Sequence, residues 1–275
     1  KTGMSNCLLL RGLSREAGHW GEFVPQMQTA LPNVKVNTLD LPGTGRFYQQ
    51  TSPNRIDAIL QATRQQALQD GLLKQPIHLL AVSLGGMVAW EWLQRYPQEI
   101  ESAILVNTSF ANLSRFYQRL RWQAYSQLVG ALTSHDTYQR ELAIVRMVSN
   151  RADCERQIIA RAWAKLHQQH PISLSTSLKQ ITAAARYKPT LSRPQLPVLL
   201  LNSLGDRLVS ANCSVAIQQR YQLPLHSHPN AGHDLALDAP EWLIEQAVSW
   251  LQNLPPSHAC NLENLKSPDL KLYGI

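Results

Sequence analysis

The chain has 275 residues, 44% of them hydrophobic and 16% charged. That is a length for one large domain or two small ones, and a composition that excludes disorder, collagen and coiled coil. With 26 basic and 19 acidic residues the formal net charge is +7, which leaves an acidic partner, nucleic acid or an anionic membrane open.

Short apolar runs alternate with longer amphipathic stretches, the mark of an α/β protein with a parallel sheet. The first strand is expected at 6–11. Its apolar run, 7–10, is too short for a signal peptide. The second strand is expected at 34–39. Over 53–72, Ile56, Ile59, Leu60, Ala67 and Leu72 recur at helical spacing. A strand at 76–82 runs straight into a helix at 84–96, and another strand follows at 102–107. Then come roughly 80 residues with no strand signal. They read as about four helices, with one stripe of Leu113, Phe116, Tyr117, Leu120, Ala124 and Leu128 and another of Ile158, Ile159, Ala162, Trp163 and Leu166. An insertion of this kind predicts an all-helical cap, 111–190, on a core of 4–110 and 191–254. Strands at 197–202 and 224–228 and helices at 209–221 and 239–253 complete that core. The segment 255–275 opens on Pro255-Pro256 and predicts a loose surface tail.

No apolar run approaches the roughly 18 residues of a membrane span. The cysteines at 7, 154, 213 and 260 make no C-x-x-C pair and suggest neither a zinc site nor a disulfide framework. A reduced, cytoplasmic protein without integral membrane association is expected. The positive charge is concentrated in the insertion: 111–190 holds twelve basic and four acidic residues, a net +8, against fourteen basic and fifteen acidic elsewhere. Such a cap is either a solvated helical face or a surface for an acidic partner, such as acyl carrier protein, a coenzyme A thioester or an anionic lipid. No nucleic-acid motif accompanies it.

The strongest local signal is I-H-L-L-A-V-S-L-G-G-M-V-A-W-E-W-L at 77–93. A strand delivers Ser83 directly to a helix, the context of a nucleophile elbow. Such a turn needs small residues two before and two after the serine, here Ala81 and Gly85. A serine nucleophile needs a histidine base and an acid to orient it. Asp206 follows the strand 197–202, and His233 follows the strand 224–228. All three fall at carboxyl ends of parallel strands, where ligands gather, in the order Ser, Asp, His. Asp234 and Asp238 compete as the acid from positions beside His233. His226 and His228 read as packing or surface residues, and Cys213 as a packed thiol. The oxyanion donors expected are the backbone amides of Leu84 and of Leu13, the latter beside Gly12.

These pieces resemble the α/β-hydrolase fold superfamily: R-G-L at 11–13, D-L-P-G-T-G at 40–45, A-V-S-L-G-G at 81–86, G-D-R-L-V at 205–209 and A-G-H at 231–233. The resemblance covers 6–253. It implies about six mostly parallel strands with helices on both faces, no cofactor and no metal, with Asp40 and Gly43 as structural loop residues. The sequence departs from the family where Arg11-Gly12 replaces the usual His-Gly, where Arg46 and Phe47 follow the 40–45 loop, and where Ala81 replaces the first glycine of the elbow. The layout is similar to that of esterases acting on pimeloyl-acyl carrier protein methyl ester, and equally to a small lyase of menaquinone synthesis. The expected activity is serine hydrolysis of an ester or thioester through an acyl-enzyme. A lyase or C–C bond hydrolase with the same triad and a catalytically idle binding protein are the alternatives. Trp20, Met87, Phe116, Trp122 and Trp163 are candidates to line the substrate pocket.

Overall fold

The computed structural model describes residues 4–255. Most of the expected tail, and Cys260, lie outside the described residues. Six strands form one sheet: β1 (Ser5–Leu10), β2 (Val34–Thr38), β3 (Ile77–Val82), β4 (Ile100–Val106), β5 (Val198–Ser203) and β6 (Leu225–His228). Their order is β2-β1-β3-β4-β5-β6, and every neighbouring pair is parallel. The helices in chain order are α1 (Phe23–Ala30), α2 (Ile56–Gln69), α3 (Leu84–Arg95), α4 (Phe116–Arg119), α5 (Tyr125–Thr133), α6 (Thr137–Val148), α7 (Asp153–Gln169), α8 (Leu174–Arg186), α9 (Asn212–Tyr221), α10 (Leu235–Asp238) and α11 (Pro240–Gln252).

The period-2 alternation of the strands divides their side chains between two cores. Leu8 and Leu10, Leu79 and Ala81, Ala103 and Leu105, Val198 and Leu200 pack with Ile59 and Leu60 of α2 and Trp90 and Trp92 of α3. Their neighbours in sequence, Leu9, Leu80, Ile104 and Leu199 among them, pack with Phe23 and Met27 of α1 and Leu243 and Ala247 of α11. Burial on both faces is why the four inner strands read as nearly continuous apolar runs, whereas the edge strands β2 and β6 are partly exposed and mixed in sequence. Truncating either buried tryptophan of α3 to alanine is expected to cost about 3–5 kcal/mol.

Helix α1 has no counterpart among the expected helices. It is short and carries Pro25 in its first turn, where proline is tolerated because that amide has no intrahelical acceptor.

Helices α4 to α8 occupy the stretch between β4 and β5; a separate small core there gathers Ala124, Leu142, Val145, Ala160 and Trp163, while α8 packs Ala183 into the main core. The stripe expected over 113–128 is broken. Helix α4 is only four residues long, and Leu120 leaves it in an extended conformation. The helical period therefore does not run through, and Phe116 and Tyr117 face solvent. Ile158, expected in the second stripe, is also exposed, while Trp163 is buried.

The chain runs from the sheet interior outward to β2 and then returns to β3 beside β1. In open α/β sheets the crevice at such a switch point, beyond the carboxyl ends of the strands, takes the ligand. Here residues 11–15 and Ser83 line a cavity at that crevice, together with residues of the inserted helices.

Candidate active site

Ser83 joins β3 to α3 with φ 53° and ψ −113°, a region non-glycine residues rarely adopt and that costs about 1–3 kcal/mol. Its backbone is pinned on both sides. The Ser83 amide donates to the Val106 carbonyl at 2.8 Å, and the Ser83 carbonyl accepts from the Gly86 amide at 2.9 Å and the Thr108 hydroxyl at 2.8 Å. Gly85 is required here by close approach to β1. A Cβ on it would lie 2.5 Å from the Arg11 carbonyl oxygen and 2.9 Å from that of Leu10. A Cβ on Gly12 would sit 3.4 Å from the Ser83 Cβ, so the loop after β1 rests against the serine.

Asp206 follows β5 and His233 follows β6. The Asp206 Oδ2 lies 2.6 Å from His233 Nδ1, and both side chains are buried. The other carboxylate oxygen accepts the Leu208 and Val209 amides, each at 2.9 Å. Burial alone would push the His233 imidazole down. The charge and hydrogen bond of Asp206, helped by Asp234, outweigh it and hold the imidazole above its ordinary value. Nδ1 is taken by Asp206, which leaves Nε2 as the other ring nitrogen, and His233 and Ser83 line one cavity. No hydrogen bond joins the Ser83 and His233 side chains in this arrangement.

The competing acids have other partners. Asp234 pairs with Arg11 through both carboxylate oxygens, at 2.7 and 3.2 Å. Asp238 accepts the Gly232 and Asn150 amides and the Ser149 hydroxyl, tying the histidine loop to the end of α6. Arg11, the departure from His-Gly, is thus half of a buried ion pair that also lies over Trp20, 4.8 Å from the ring centre. His226 meets Gln246 at the surface, and His228 Nδ1 accepts the Ala231 amide. Cys213 is buried in α9, and burial raises its thiol.

One residue that carries the site gave no obvious signal in the sequence. Asn107, just past β4 at φ 49°, donates to the His233 carbonyl at 2.8 Å and accepts the Ser203 amide at 2.9 Å. The hint lay in its position, an asparagine at a strand end where left-handed backbone is tolerated.

The Leu84 amide is the first of α3 and has no intrahelical acceptor. Leu13 lines the cavity.

The cavity measures about 150 Å³, a size that takes up a benzene-sized molecule. Besides Ser83, His233 and loop 11–15, its walls come from α5, α6, α8 and His167 of α7. None of the five aromatic and methionine candidates lines it. Phe116 and Trp122 are 77% and 74% exposed. Trp20 packs on Phe23, Met87 lies in the core behind α3, and Trp163 lies in the insertion's own core. The lining is aliphatic instead, with Leu128, Ile144, Met147, Ile172 and Ile181 prominent. Among the described residues no group of three or more His, Cys, Asp or Glu converges as a metal site, and no helix is long and apolar enough to cross a membrane.

Much of the insertion's charge is spent inside the fold. Arg119 donates to the Ala184 carbonyl and Arg121 to the Asp206 carbonyl. Arg146 and Arg156 pair with Asp153, and Arg151 donates to the Leu237 carbonyl. Arg115, Arg161, Lys165, Lys179, Arg186 and Lys188 remain exposed.

The sheet order, the strained elbow and the crevice define a hydrolase architecture, and the chain belongs to the alpha/beta hydrolase family, whose sequence model matches residues 7–246. It is 26% identical over 259 residues to a pimeloyl-[acyl-carrier protein] methyl ester esterase of Aromatoleum aromaticum, covering 88% of this chain and 97% of that protein. Its fold is similar to that of an esterase from Rhodococcus sp. (TM-score 0.72, 17% identity, 93% of each chain). It is also similar to an enol-lactonase from Burkholderia xenovorans (TM-score 0.71, 16% identity, 90% of this chain and 91% of that one).

Proposed function

We propose that the chain is a serine hydrolase that cleaves a carboxylic ester or thioester through an acyl-enzyme on Ser83, with 111–190 as a cap over the core. The observation that carries this is the buried 2.6 Å Asp206–His233 contact facing the cavity that the strained Ser83 also lines. His233 takes the Ser83 proton as Oγ attacks the acyl carbonyl. The Leu84 and Leu13 amides donate to the oxyanion, aided by the amino-terminal end of α3. His233 then protonates the leaving alcohol or thiol, and a water activated by the same imidazole releases the acid. Asp206 fixes the tautomer and stabilises the imidazolium. An idle binding protein would have no use for an intact Asp–His pair beside a strained serine.

A substrate linked to an acidic carrier is the finer reading. Six exposed cations on the insertion favour it, and the relative from Aromatoleum aromaticum is named for such a substrate. The test of the class is turnover of short p-nitrophenyl esters. Wild type hydrolyses them and Ser83→Ala does not; retained turnover in Ser83→Ala would refute the assignment.

A further inference from the structure

We infer that the cavity holds a second subsite, at Arg140 and Arg15, which reads an anionic oxygen group that the substrate carries away from its scissile bond. This rests on the hydrolase reading for the scissile bond itself. The charges lining the cavity do not balance: three arginines, 11, 15 and 140, face two carboxylates, Glu141 and Asp234. Arg11 is matched by Asp234 in a bidentate pair, and Arg15 by Glu141 at 2.9 Å. Arg140 is left over. It contacts His167 Nε2, and no carboxylate pairs with it among the described residues.

The Arg15 guanidinium is itself only half used. Its side chain is 9% exposed. Nη1 serves Glu141 and meets His19 Nε2, whereas Nη2 makes no hydrogen bond among the described residues and is not among the fully buried atoms. The guanidinium therefore keeps one donor group unused at this wall. His167 does not supply the missing negative charge. Burial first, then Arg140, hold its imidazole below the ordinary value. The neighbouring walls are aliphatic, and in such surroundings an unmatched cation attracts an anion far more strongly than it would in water. A forked guanidinium suits a planar carboxylate or a phosphate. Either the far end of the acyl chain or a phosphate on the leaving arm could bring that group.

The test compares kcat/KM for matched p-nitrophenyl esters, a monoester of adipic acid against a hexanoate. A second arm compares the butyryl thioester of phosphopantetheine with that of pantetheine. Wild type is expected to favour the anionic member of at least one pair by about tenfold, roughly 1.4 kcal/mol, and the pair that shows it names the source. Arg140→Met brings that ratio near unity and Arg140→Lys keeps part of it. Arg161→Met, on the exposed side of α7, leaves the ratio in place, which separates the subsite from general attraction by the basic insertion. Calorimetric titration of adipate and of inorganic phosphate gives a readout independent of turnover: at least one binds wild type and weakens at least tenfold in Arg140→Met. No anionic preference in either pair, or a preference that survives Arg140→Met, overturns the subsite. Loss of all turnover with anion binding intact would instead count against the hydrolase reading.

Discussion

Asp206 holds His233 by Nδ1 at 2.6 Å, with a carboxylate whose second oxygen is itself fixed by the Leu208 and Val209 amides. The imidazole is therefore oriented by a group that cannot swing away without leaving two amides unpaired.

Asp206→Asn tests that orientation. It keeps the shape but favours the wrong tautomer, and kcat is expected to fall about 10⁴-fold with little change in KM. The pH profile should move as well. His233 acts as base only when neutral, and its value is raised, so the acid limb of kcat/KM in wild type lies above about pH 6.5. In Asp206→Asn the raising partner is gone and burial remains, so the limb moves to lower pH. An unmoved limb would mean that another group sets it.

Gly85→Ala tests the elbow. Its Cβ would press on the Arg11 backbone carbonyl at 2.5 Å, a neighbour that cannot rotate away, with an expected loss of about 1–3 kcal/mol in chemical denaturation. Gly130→Ala in α5 is the matched control. Its nearest neighbour would be 3.8 Å away, so helix propensity should raise stability by up to about 1 kcal/mol.

Arg11→Met leaves Asp234 buried without its partner and is expected to cost about 3–5 kcal/mol. Adding Asp234→Asn should restore part of that, since it removes the stranded charge and keeps an acceptor for the Leu237 amide that Asp234 caps. If the double variant is no more stable than the single, the stranded charge is not what the single variant loses.

Salt tests the carrier reading. If the exposed cations steer an anionic carrier, kcat/KM for a carrier-linked ester falls about tenfold or more between low and high ionic strength, because screening acts over about 8–10 Å near physiological salt. A neutral short ester should change less than about twofold. Equal responses would remove steering from the account.

The central strands were legible because they are buried on both faces and nearly all apolar, as at 77–82, where His78 is the one polar residue; the edge strands β2 and β6 are mixed in sequence and only partly buried. Ser83 was legible because strand, small residues and helix must follow one another without a gap. The partners of Arg11 and Arg15 were not, since Asp234 lies 223 residues away and Glu141 lies 126, and local spacing carries no trace of such pairing. The pocket lining was misplaced for a related reason. Large aromatics signal burial in general, but Phe116 opens the four-residue α4 and Trp122 opens a single 3-10 turn, and both face water. The +8 of the insertion was counted correctly in sequence, whereas its division between internal carbonyls and free surface depends on contacts that only the folded chain makes.

The serine hydrolase reading requires Ser83 to be an activated nucleophile. Intact-mass and peptide analysis after treatment with a fluorophosphonate, which phosphonylates such a serine with loss of fluoride, tests this most directly. One adduct per chain is expected, on the peptide carrying Ser83, abolished by Ser83→Ala and slowed in Asp206→Asn. An unlabelled wild type, or an adduct that persists in Ser83→Ala, would contradict it.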